Sequence, residues 1–371
     1  MIYLDSAATT FRKPQTVRAA VQRAMQTMSS PGRGGYPSAR AAEELLFRTR
    51  SLAAKTFGVP SPEQVVFTAS ATHGLNIAIK SLVPPGGRVI VSPWEHNAVT
   101  RPLHALGAEV TVASAPLFDD DACVRAFRTA LRRGADCAVC TTASNVFGYI
   151  LPIEEIAGLC RRAGVPLIVD ASQSAGVVPL DMAALGAAFV AMPGHKGLYG
   201  PQGTGLLLCG AAARPLMEGG TGSASLSQDM PDFLPDRLEA GTHNVPGIAG
   251  LEAGLRFVRR TTPERILRHE RGLIRRAAAG LSRMDGVTVY AAEDERRQLG
   301  VLSFTVEGRE PEDVAEALSQ RGVAVRAGLH CAPLAHRSAG TLDAGTVRLS
   351  VSAFDSEAEI DAFLRLLRGI L

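Results

Sequence analysis

The apolar residues change their spacing along the chain, and the change predicts where helices and strands lie. Apolar positions recur at helical spacing in residues 14–28 and 39–57. Short apolar runs then alternate with amphipathic stretches, and we predict strands at residues 65–68, 88–92, 109–113, 137–142, 166–170, 189–192 and 205–209. Because strands that alternate with helices form parallel sheets covered on both faces, this region predicts an α/β fold with a mostly parallel seven-stranded sheet.

After residue 210 the pattern changes to long helices and shorter strands. Helical spacing extends over residues 247–259 and 263–283, and we predict strands at residues 287–291, 301–306, 323–326 and 346–351. This mixture is typical of a smaller α+β domain. We therefore predict a large α/β domain over residues 15–245, a small C-terminal domain over residues 246–371, and an N-terminal arm, residues 1–14, that packs near the small domain.

The composition is that of a soluble globular enzyme, with 46% hydrophobic and 20% charged residues in a chain of 371. A net charge of +3 gives no reason to expect a nucleic-acid partner. No apolar run approaches the length of a membrane span, and the first residues lack the basic start and apolar centre of a signal peptide. We therefore expect a cytoplasmic protein that does not act at a membrane.

The six cysteines are scattered and predict no disulfide framework. Cys137 and Cys140 have the CxxC spacing of zinc and redox sites, but on a predicted strand such a pair points to opposite faces. We therefore predict two buried cysteines and no metal site.

A lysine in an unusual position suggests the chemistry. Lys196 follows the apolar run of residues 187–192 and precedes the glycine-rich residues 197–205, which keep side-chain bulk away. Partial burial there would disfavour the ammonium and lower the pKa of Lys196, so that a free amine could form a Schiff base with an aldehyde such as pyridoxal phosphate. On this stretch alone, a turn lysine without chemistry is the alternative.

Asp170 strengthens the case for this cofactor. It ends an apolar strand, and a carboxylate at the C-terminal end of a central strand faces the crevice in which α/β proteins bind ligands. Pyridoxal phosphate needs such a carboxylate at its pyridine nitrogen, since the protonated ring accepts electrons when a Cα bond of the substrate breaks. Gln173 could then reach the ring hydroxyl. A helix-capping aspartate is the alternative.

Three turns add polar side chains at the same edge of the predicted sheet. Thr72 lies where a strand runs into a helix, so its hydroxyl and nearby N–H groups could hold a phosphate, although helix capping alone would explain it. His96 could lie over a cofactor ring and move protons, although a lone histidine is more often structural. Asn145 follows the strand at 137–142, where turn chemistry is the simpler alternative.

Cys331 is the one cysteine in a predicted loop. His330, His336 and Arg326 stand nearby in the sequence, and cationic neighbours lower the pKa of a thiol and favour its reactive thiolate form. An inert thiol is the alternative.

Taken together, these residues resemble the class V, fold type I pyridoxal-phosphate enzymes, and among them the cysteine desulfurases of the Suf-like second group and the similar selenocysteine lyases. The match begins at residues 4–10, passes through His96, Asn145 and residues 170–173 and 194–196, and reaches residues 326–332 and Arg348. Each motif alone is weak, but their order and spacing together are specific.

The resemblance implies a reaction and the residues that carry it out. L-cysteine would become L-alanine, and Cys331 would receive the sulfur as a persulfide for transfer to an acceptor protein. Lys196 would form the Schiff base and carry the Cα proton. The resemblance also implies a homodimer with active sites at the subunit interface.

The resemblance further implies which residues bind the cofactor and the substrate. Asp170, Gln173 and His96 would contact the cofactor ring, and Asn145 is also among the predicted cofactor-binding residues. Thr72 and His195 would hold the phosphate, together with Thr242 from the partner subunit. Arg348, with Asn145 and Arg326, would bind the substrate carboxylate.

The chain departs from the usual pattern of this family at Ser6, Ala71, Pro193 and Leu329, which replace asparagine, a hydroxyl residue, serine and histidine. Each lost hydroxyl contact would weaken the hold on the phosphate by about 1 kcal/mol. A divergent branch with another sulfur or selenium destination is therefore an alternative. Others are selenocysteine lyase activity, another class V lyase or aminotransferase reaction, and a non-catalytic regulator that keeps the cofactor.

Overall fold

The computed structural model describes residues 1–32 and 34–371. The helices are α1 (Gln15–Thr27), α2 (Pro37–Phe57), α3 (Ala71–Leu82), α4 (Asn97–Ala105), α5 (Asp120–Leu131), α6 (Ile153–Ala163), α7 (Met182–Leu185), α8 (Val245–Thr261), α9 (Pro263–Leu281), α10 (Pro311–Gln320), α11 (Pro333–Ala339) and α12 (Glu357–Arg368). The strands are β1 (Ile2–Tyr3), β2 (Val65–Thr68), β3 (Arg88–Val91), β4 (Glu109–Val112), β5 (Cys137–Thr141), β6 (Leu167–Asp170), β7 (Phe189–Pro193), β8 (Gly205–Cys209), β9 (Val287–Tyr290), β10 (Val301–Val306), β11 (Val323–Ala324), β12 (Arg326–Gly328) and β13 (Thr346–Ser350).

Seven strands form the central sheet in the order β2-β8-β7-β6-β5-β3-β4. The pairings among β4, β3, β5, β6 and β7 are all parallel. β8 alone is reversed and pairs antiparallel with β7 and β2. A parallel neighbour requires a crossover helix, and β8 follows β7 without one, so it returns antiparallel. The predicted mostly parallel seven-stranded sheet is confirmed.

Helices cover both faces of this sheet because its strands are apolar on both sides. Strand β5 shows the division, since Cys140 packs in the same core as Phe127 of α5, whereas Cys137 packs in the other core with Leu75 of α3. Both cysteines are fully buried. The prediction that this CxxC pair points to opposite faces is confirmed. None of the described helices combines the length and the apolar character needed to cross a bilayer.

A second, antiparallel sheet in the order β12-β13-β10-β9 carries the later helices. Its core joins residues of α9, α10 and α12, and Leu4 of the N-terminal arm is buried in it. The single strand predicted over residues 323–326 is two short strands. β11 pairs in parallel with β1 of the arm, and β12 pairs with β13. The arm therefore lies along this second sheet.

Candidate active site

The loop after β7 carries Lys196 to the edge of the sheet at which the parallel strands end. The loop closes on itself, because the Gly200 N–H donates to the Gly194 carbonyl at 2.7 Å. It also packs tightly, since a Cβ on Gly197 would lie 2.4 Å from the carbonyl oxygen of Ala175. Loss of hydration, with the positive charge of Arg348, lowers the pKa of Lys196 to about 8. The direction is the one expected from the sequence.

Asp170, the last residue of β6, is 2% exposed. Its Oδ1 accepts hydrogen bonds from the Ser172 N–H at 2.9 Å and from the Ser172 hydroxyl, whereas Oδ2 receives none from the described residues. Burial raises the pKa of Asp170, although Ser172 and Lys196 act in the opposite direction. A buried carboxylate with an uncommitted oxygen requires a cationic or proton-donating partner, and a protonated pyridine nitrogen is one.

His96 caps helix α4, and its Nδ1 accepts a hydrogen bond from the Ala98 N–H at 3.0 Å. Burial, followed by the positive charges of Lys196 and Arg326, lowers the pKa of His96 to about 4. The imidazole is therefore neutral near pH 7, and its proton lies on Nε2. His96 can stack on a ring and donate a hydrogen bond, but its Nδ1 is not free to act as a base.

Helix α3 begins beside Lys196. Ser70 caps the helix by accepting a hydrogen bond from the His73 N–H at 3.2 Å. Thr72 is exposed in the first turn of this 12-residue helix, and its hydroxyl makes no hydrogen bond to a described residue. The His195 ring lies near it, with a pKa lowered to about 4 by burial and by Lys196. A helix N-terminus with a free hydroxyl offers the donors that a phosphate needs.

One cavity brings most of the predicted binding residues together. Its lining includes Thr72, His96, Asn145, Asp170, Gln173, His195 and Lys196. The carboxylate, the neutral imidazole, the amine and the helix N-terminus complement the ring nitrogen, the ring face, the aldehyde and the phosphate of pyridoxal phosphate. The residues present therefore fit this cofactor.

Two amide side chains at the cavity bind neighbouring segments of the chain. Gln173 Nε2 donates to the Ala7 carbonyl of the N-terminal arm at 3.2 Å. Asn145 Nδ2 donates to the His330 carbonyl at 2.8 Å. Each keeps an amide oxygen without a hydrogen bond from a described residue, so each can still accept one from a ligand. The cavity wall is thus tied to the arm and to the loop that carries Cys331.

Cys331 is the only exposed cysteine of the six. The backbone of His330 and Cys331 is left-handed, with φ of 49° and 57°, a conformation that costs about 1–2 kcal/mol per residue. The Asn97 N–H at the start of α4 donates to the Cys331 carbonyl at 2.7 Å and helps to hold this conformation. The loop is fixed against the same helix that His96 caps, and its thiol is accessible.

His330 and His336 are not the cationic neighbours of Cys331 that the sequence suggested. Both side chains are buried, and burial lowers the pKa of His330 to about 2 and that of His336 to about 4. His330 Nε2 donates to the Thr346 carbonyl at 3.1 Å. The expectation of charge on these two residues is wrong, because it was drawn from their nearness in sequence and not from their burial.

The two predicted carboxylate-binding arginines occupy directly opposed positions on β12 and β13. Arg348 is 1% exposed; its Nη1 donates to the Asn145 carbonyl at 2.9 Å and its Nη2 to Asp5 Oδ1 at 2.7 Å. Arg326 is exposed and forms no ion pair with any described carboxylate. One guanidinium at this edge is therefore paired and the other is not.

Thr242 does not line the Lys196 cavity within a single chain. It is exposed beside a separate cavity of about 430 Å³, which the exposed Phe47 also lines. The stretch of chain that carries Thr242 is anchored at Glu239. The Glu239 carboxylate accepts a hydrogen bond from Arg50 Nη1 at 2.8 Å and lies 2.6 Å from His243 Nε2.

The sequence did not reveal three residues that shape the site. Asp5 pairs with Arg348, and Ser172 holds Asp170. Glu95, the residue before His96, is fully buried, and its Oε1 accepts a hydrogen bond from the Thr141 N–H at 2.7 Å. Ser172 could have been found, because a hydroxyl residue two positions after an aspartate is a common turn pattern. Asp5 carries no such local signal.

Comparisons with known proteins agree with this geometry. The profile of the family described as aminotransferase class-V matches residues 2–363. A probable cysteine desulfurase of Methanothermobacter thermautotrophicus is 33% identical over 374 residues, which cover 97% of this chain and 92% of that protein. Another, from Mycolicibacterium paratuberculosis, is 33% identical over 386 residues, but the chain spans only 55% of its length.

Solved structures show the same likeness. The apo structure of a cysteine desulfurase from Thermococcus onnurineus NA1 superposes with a TM-score of 0.91 at 29% sequence identity. The match covers 100% of this chain and 94% of that one.

Proposed function

Because this chain belongs to the class V aminotransferase family and, within it, to the cysteine desulfurases, we propose that it converts L-cysteine to L-alanine and keeps the sulfur as a persulfide on Cys331. The observation that carries the proposal is a partly dehydrated Lys196 in a cavity whose lining residue Asn145 is hydrogen-bonded to the loop that carries the exposed Cys331. The reaction balances without an added oxidant or reductant, since L-cysteine and the Cys331 thiol give L-alanine and the Cys331 persulfide.

The family depends on pyridoxal 5′-phosphate, which supplies an electron-accepting ring next to the substrate Cα when it is bound. Lys196 would hold this group covalently, and its amine would remove the Cα proton of the substrate and later return a proton. Asp170 would hold the ring nitrogen in its protonated form, and His96 would lie against the ring as a neutral imidazole. The start of α3, with Thr72 and His195, would hold the phosphate.

Cys331 receives the sulfur. Its thiolate attacks the sulfur of the substrate, so that a sulfur–sulfur bond forms as the carbon–sulfur bond breaks. Because Cys331 is exposed, a second protein can reach the persulfide, and an acceptor protein is the proposed destination. Arg348, Arg326 and Asn145 hold the substrate carboxylate during this step.

We also propose that the active enzyme is a homodimer. Within one chain Thr242 does not line the Lys196 cavity; it lines a separate cavity together with Phe47, whose side chain is 60% exposed. A second copy that covers Phe47 would remove this apolar surface from water and could bring Thr242 to the phosphate of its partner. Light scattering on the purified holoenzyme measures the molar mass directly.

The test is a single turnover of the holoenzyme with L-cysteine, followed by mass spectrometry of the Cys331 peptide and by alanine analysis. We expect one added sulfur on Cys331 for each alanine formed. The Cys331→Ala variant should form no persulfide and release little alanine. Full desulfuration by that variant would exclude the proposed role of Cys331. Turnover of L-selenocysteine alone, without persulfide from L-cysteine, would favour selenocysteine lyase activity.

A further inference from the structure

Two positively charged residues, Arg326 and Arg348, lie side by side at one edge of the site. The two arginines are paired positions on adjacent antiparallel strands, so their side chains leave the sheet on the same face. Like charges at such positions repel each other and require a counter-charge. Burial lowers the pKa of Arg348, Asp5 raises it, and the like charge of Arg326 lowers it.

Asp5 provides this counter-charge for Arg348. Its Oδ1 accepts a hydrogen bond from Nη2 at 2.7 Å, a short charge-assisted contact. One hydrogen of Nη1 is donated to the Asn145 carbonyl, and Nε is buried with no hydrogen-bond acceptor among the described residues. Each Nη therefore keeps one hydrogen for a further acceptor. Arg348 can still bind a carboxylate, but its charge is already compensated.

Asp5 is fixed in this position. Asp5 forms a parallel β-bridge with Ser350 of β13. Two residues later, the Ala7 N–H donates a hydrogen bond to the Ser350 hydroxyl at 2.8 Å. The Tyr3 hydroxyl donates to the Asp5 carbonyl at 3.1 Å. These contacts hold the arm along β13, so Asp5 stays beside Arg348 when a ligand enters.

The charges of Arg326, Arg348 and Asp5 together sum to one positive unit. Arg326 and Arg348 contribute two, Asp5 removes one, and no other described carboxylate pairs with either arginine. The remaining charge matches one carboxylate. L-cysteine and L-alanine carry the same carboxylate, so any change in the affinity of this subsite for a carboxylate affects the binding of substrate and product alike.

We propose that Asp5 is a resident counter-charge of the substrate carboxylate subsite, which weakens the hold on the carboxylate that substrate and product share and thereby speeds release of L-alanine. The inference rests on the proposed function. Arg348 supplies the geometry of two parallel donors, and Arg326 supplies the uncompensated charge. Asp5 is an affinity-setting residue and does not itself touch the substrate.

Asp5→Asn tests this proposal, because the amide keeps an oxygen for Arg348 and removes only the charge. We expect the KM for L-cysteine and the inhibition constant of L-alanine to fall by the same factor, roughly five- to tenfold, since a charged partner holds a hydrogen bond more strongly than a neutral one. Calorimetric titration of the holoenzyme with L-alanine should show the same factor. A merely structural role for Asp5 would leave Arg348 misplaced and raise both constants, so the direction of the change distinguishes the two roles.

Asp355→Asn is the matched control. Asp355 follows β13 in the chain, and its carboxylate accepts hydrogen bonds from the Ser352 N–H and hydroxyl and does not touch Arg348. This variant should leave both constants within about twofold of wild type. Asp5→Ser gives a second way to remove the charge if Asp5→Asn does not fold.

Unchanged or raised constants in a folded Asp5 variant would overturn the inference. Failure of the proposed function is a different result: wild type would form no alanine from L-cysteine. The calorimetric affinity for L-alanine would still measure the effect of Asp5 in that case.

Discussion

Lys196 and Cys331, the two residues proposed to react, lie in opposite environments. Lys196 lies in a closed loop packed against the sheet, where loss of hydration lowers its pKa to about 8. Cys331 is exposed on a loop whose strained backbone is held by two hydrogen bonds to its carbonyls. The difference follows from their tasks, since an amine becomes nucleophilic through dehydration, whereas a persulfide has to be reached from outside.

The ionisable groups that surround Lys196 also differ from those that surround Cys331. Around Lys196, three buried or partly buried groups have pKa values shifted by burial, namely Asp170, His96 and His195. Around Cys331, the histidines are neutral and the uncompensated charge is the exposed Arg326. Burial therefore lowers the pKa of the reacting lysine itself, whereas around Cys331 it neutralises the neighbouring histidines and the reacting thiol stays exposed.

The largest expected effect comes from Lys196→Ala. Without the amine, no covalent bond to pyridoxal phosphate can form and no base remains for the Cα proton, so desulfuration should fall by roughly 10⁴-fold. Borohydride reduction followed by peptide mass spectrometry should find the pyridoxyl group on Lys196 in wild type and on no lysine in the variant.

Lys13→Met is the control for this experiment. Burial lowers the pKa of Lys13 to about 8 as well, but its ammonium donates to the His195 carbonyl at 2.8 Å and does not line the cavity. The variant should lose some stability and keep the covalent bond at Lys196. A pyridoxyl group on Lys13 in wild type would show that dehydration alone does not select the reacting lysine.

Glu270→Gln tests whether burial dominates on the lysine side. Glu270 of α9 is 4% exposed, lines a small cavity with Lys196 and Tyr199, and its carboxyl receives no hydrogen bond from a described residue. Burial, and then the negative charge of Asp355, raises its pKa well above the usual value. A raised folded pKa gives stability that is complete below the unfolded pKa and is lost as the pH rises through the folded pKa.

The Gln variant should therefore gain stability over wild type as the pH rises above about 4.5, by up to about 1.4 kcal/mol per pH unit. Denaturant unfolding at several pH values between 5 and 9 measures the difference. Glu252→Gln is the control of opposite sign. Burial acts against the charge of Glu252, but hydrogen bonds from Arg48 and Arg256 outweigh it and lower its pKa. That variant should lose stability at neutral pH.

The sequence predicted those features that depend on local pattern. The alternation of apolar strands and helices predicted the central sheet, and a carboxylate at the end of β6 and a lysine after β7 predicted the cavity that holds both. The reversed direction of β8 was not predicted, because an apolar run reads the same in either direction. The contact between Asp5 and Arg348 joins residues 343 positions apart, and no local pattern encodes it.

Burial was the other feature that the sequence did not provide. His330 and His336 lie near Cys331 in sequence and suggested positive charge. His336 is buried against Phe147, and His330 is buried against β13. Burial leaves both histidines neutral. Glu270 occupies what reads as an ordinary polar position on an amphipathic helix. Both cases depend on which elements pack together, and one-dimensional spacing does not contain this.

His330→Phe tests the cysteine side and has the smallest expected effect. The side chain stays aromatic and neutral but loses the hydrogen bond to the Thr346 carbonyl, so the free energy of unfolding should fall by about 1 kcal/mol. Because His330 carries no charge at neutral pH, the rate of Cys331 alkylation by iodoacetamide should change by less than about threefold. Arg326→Gln, which removes the remaining cation, should slow alkylation more at the same pH. A rate in His330→Phe that falls tenfold would mean that His330 activates the thiol by its charge, and the contrast between a lysine whose pKa is lowered by burial and an exposed thiol beside neutral histidines would no longer hold.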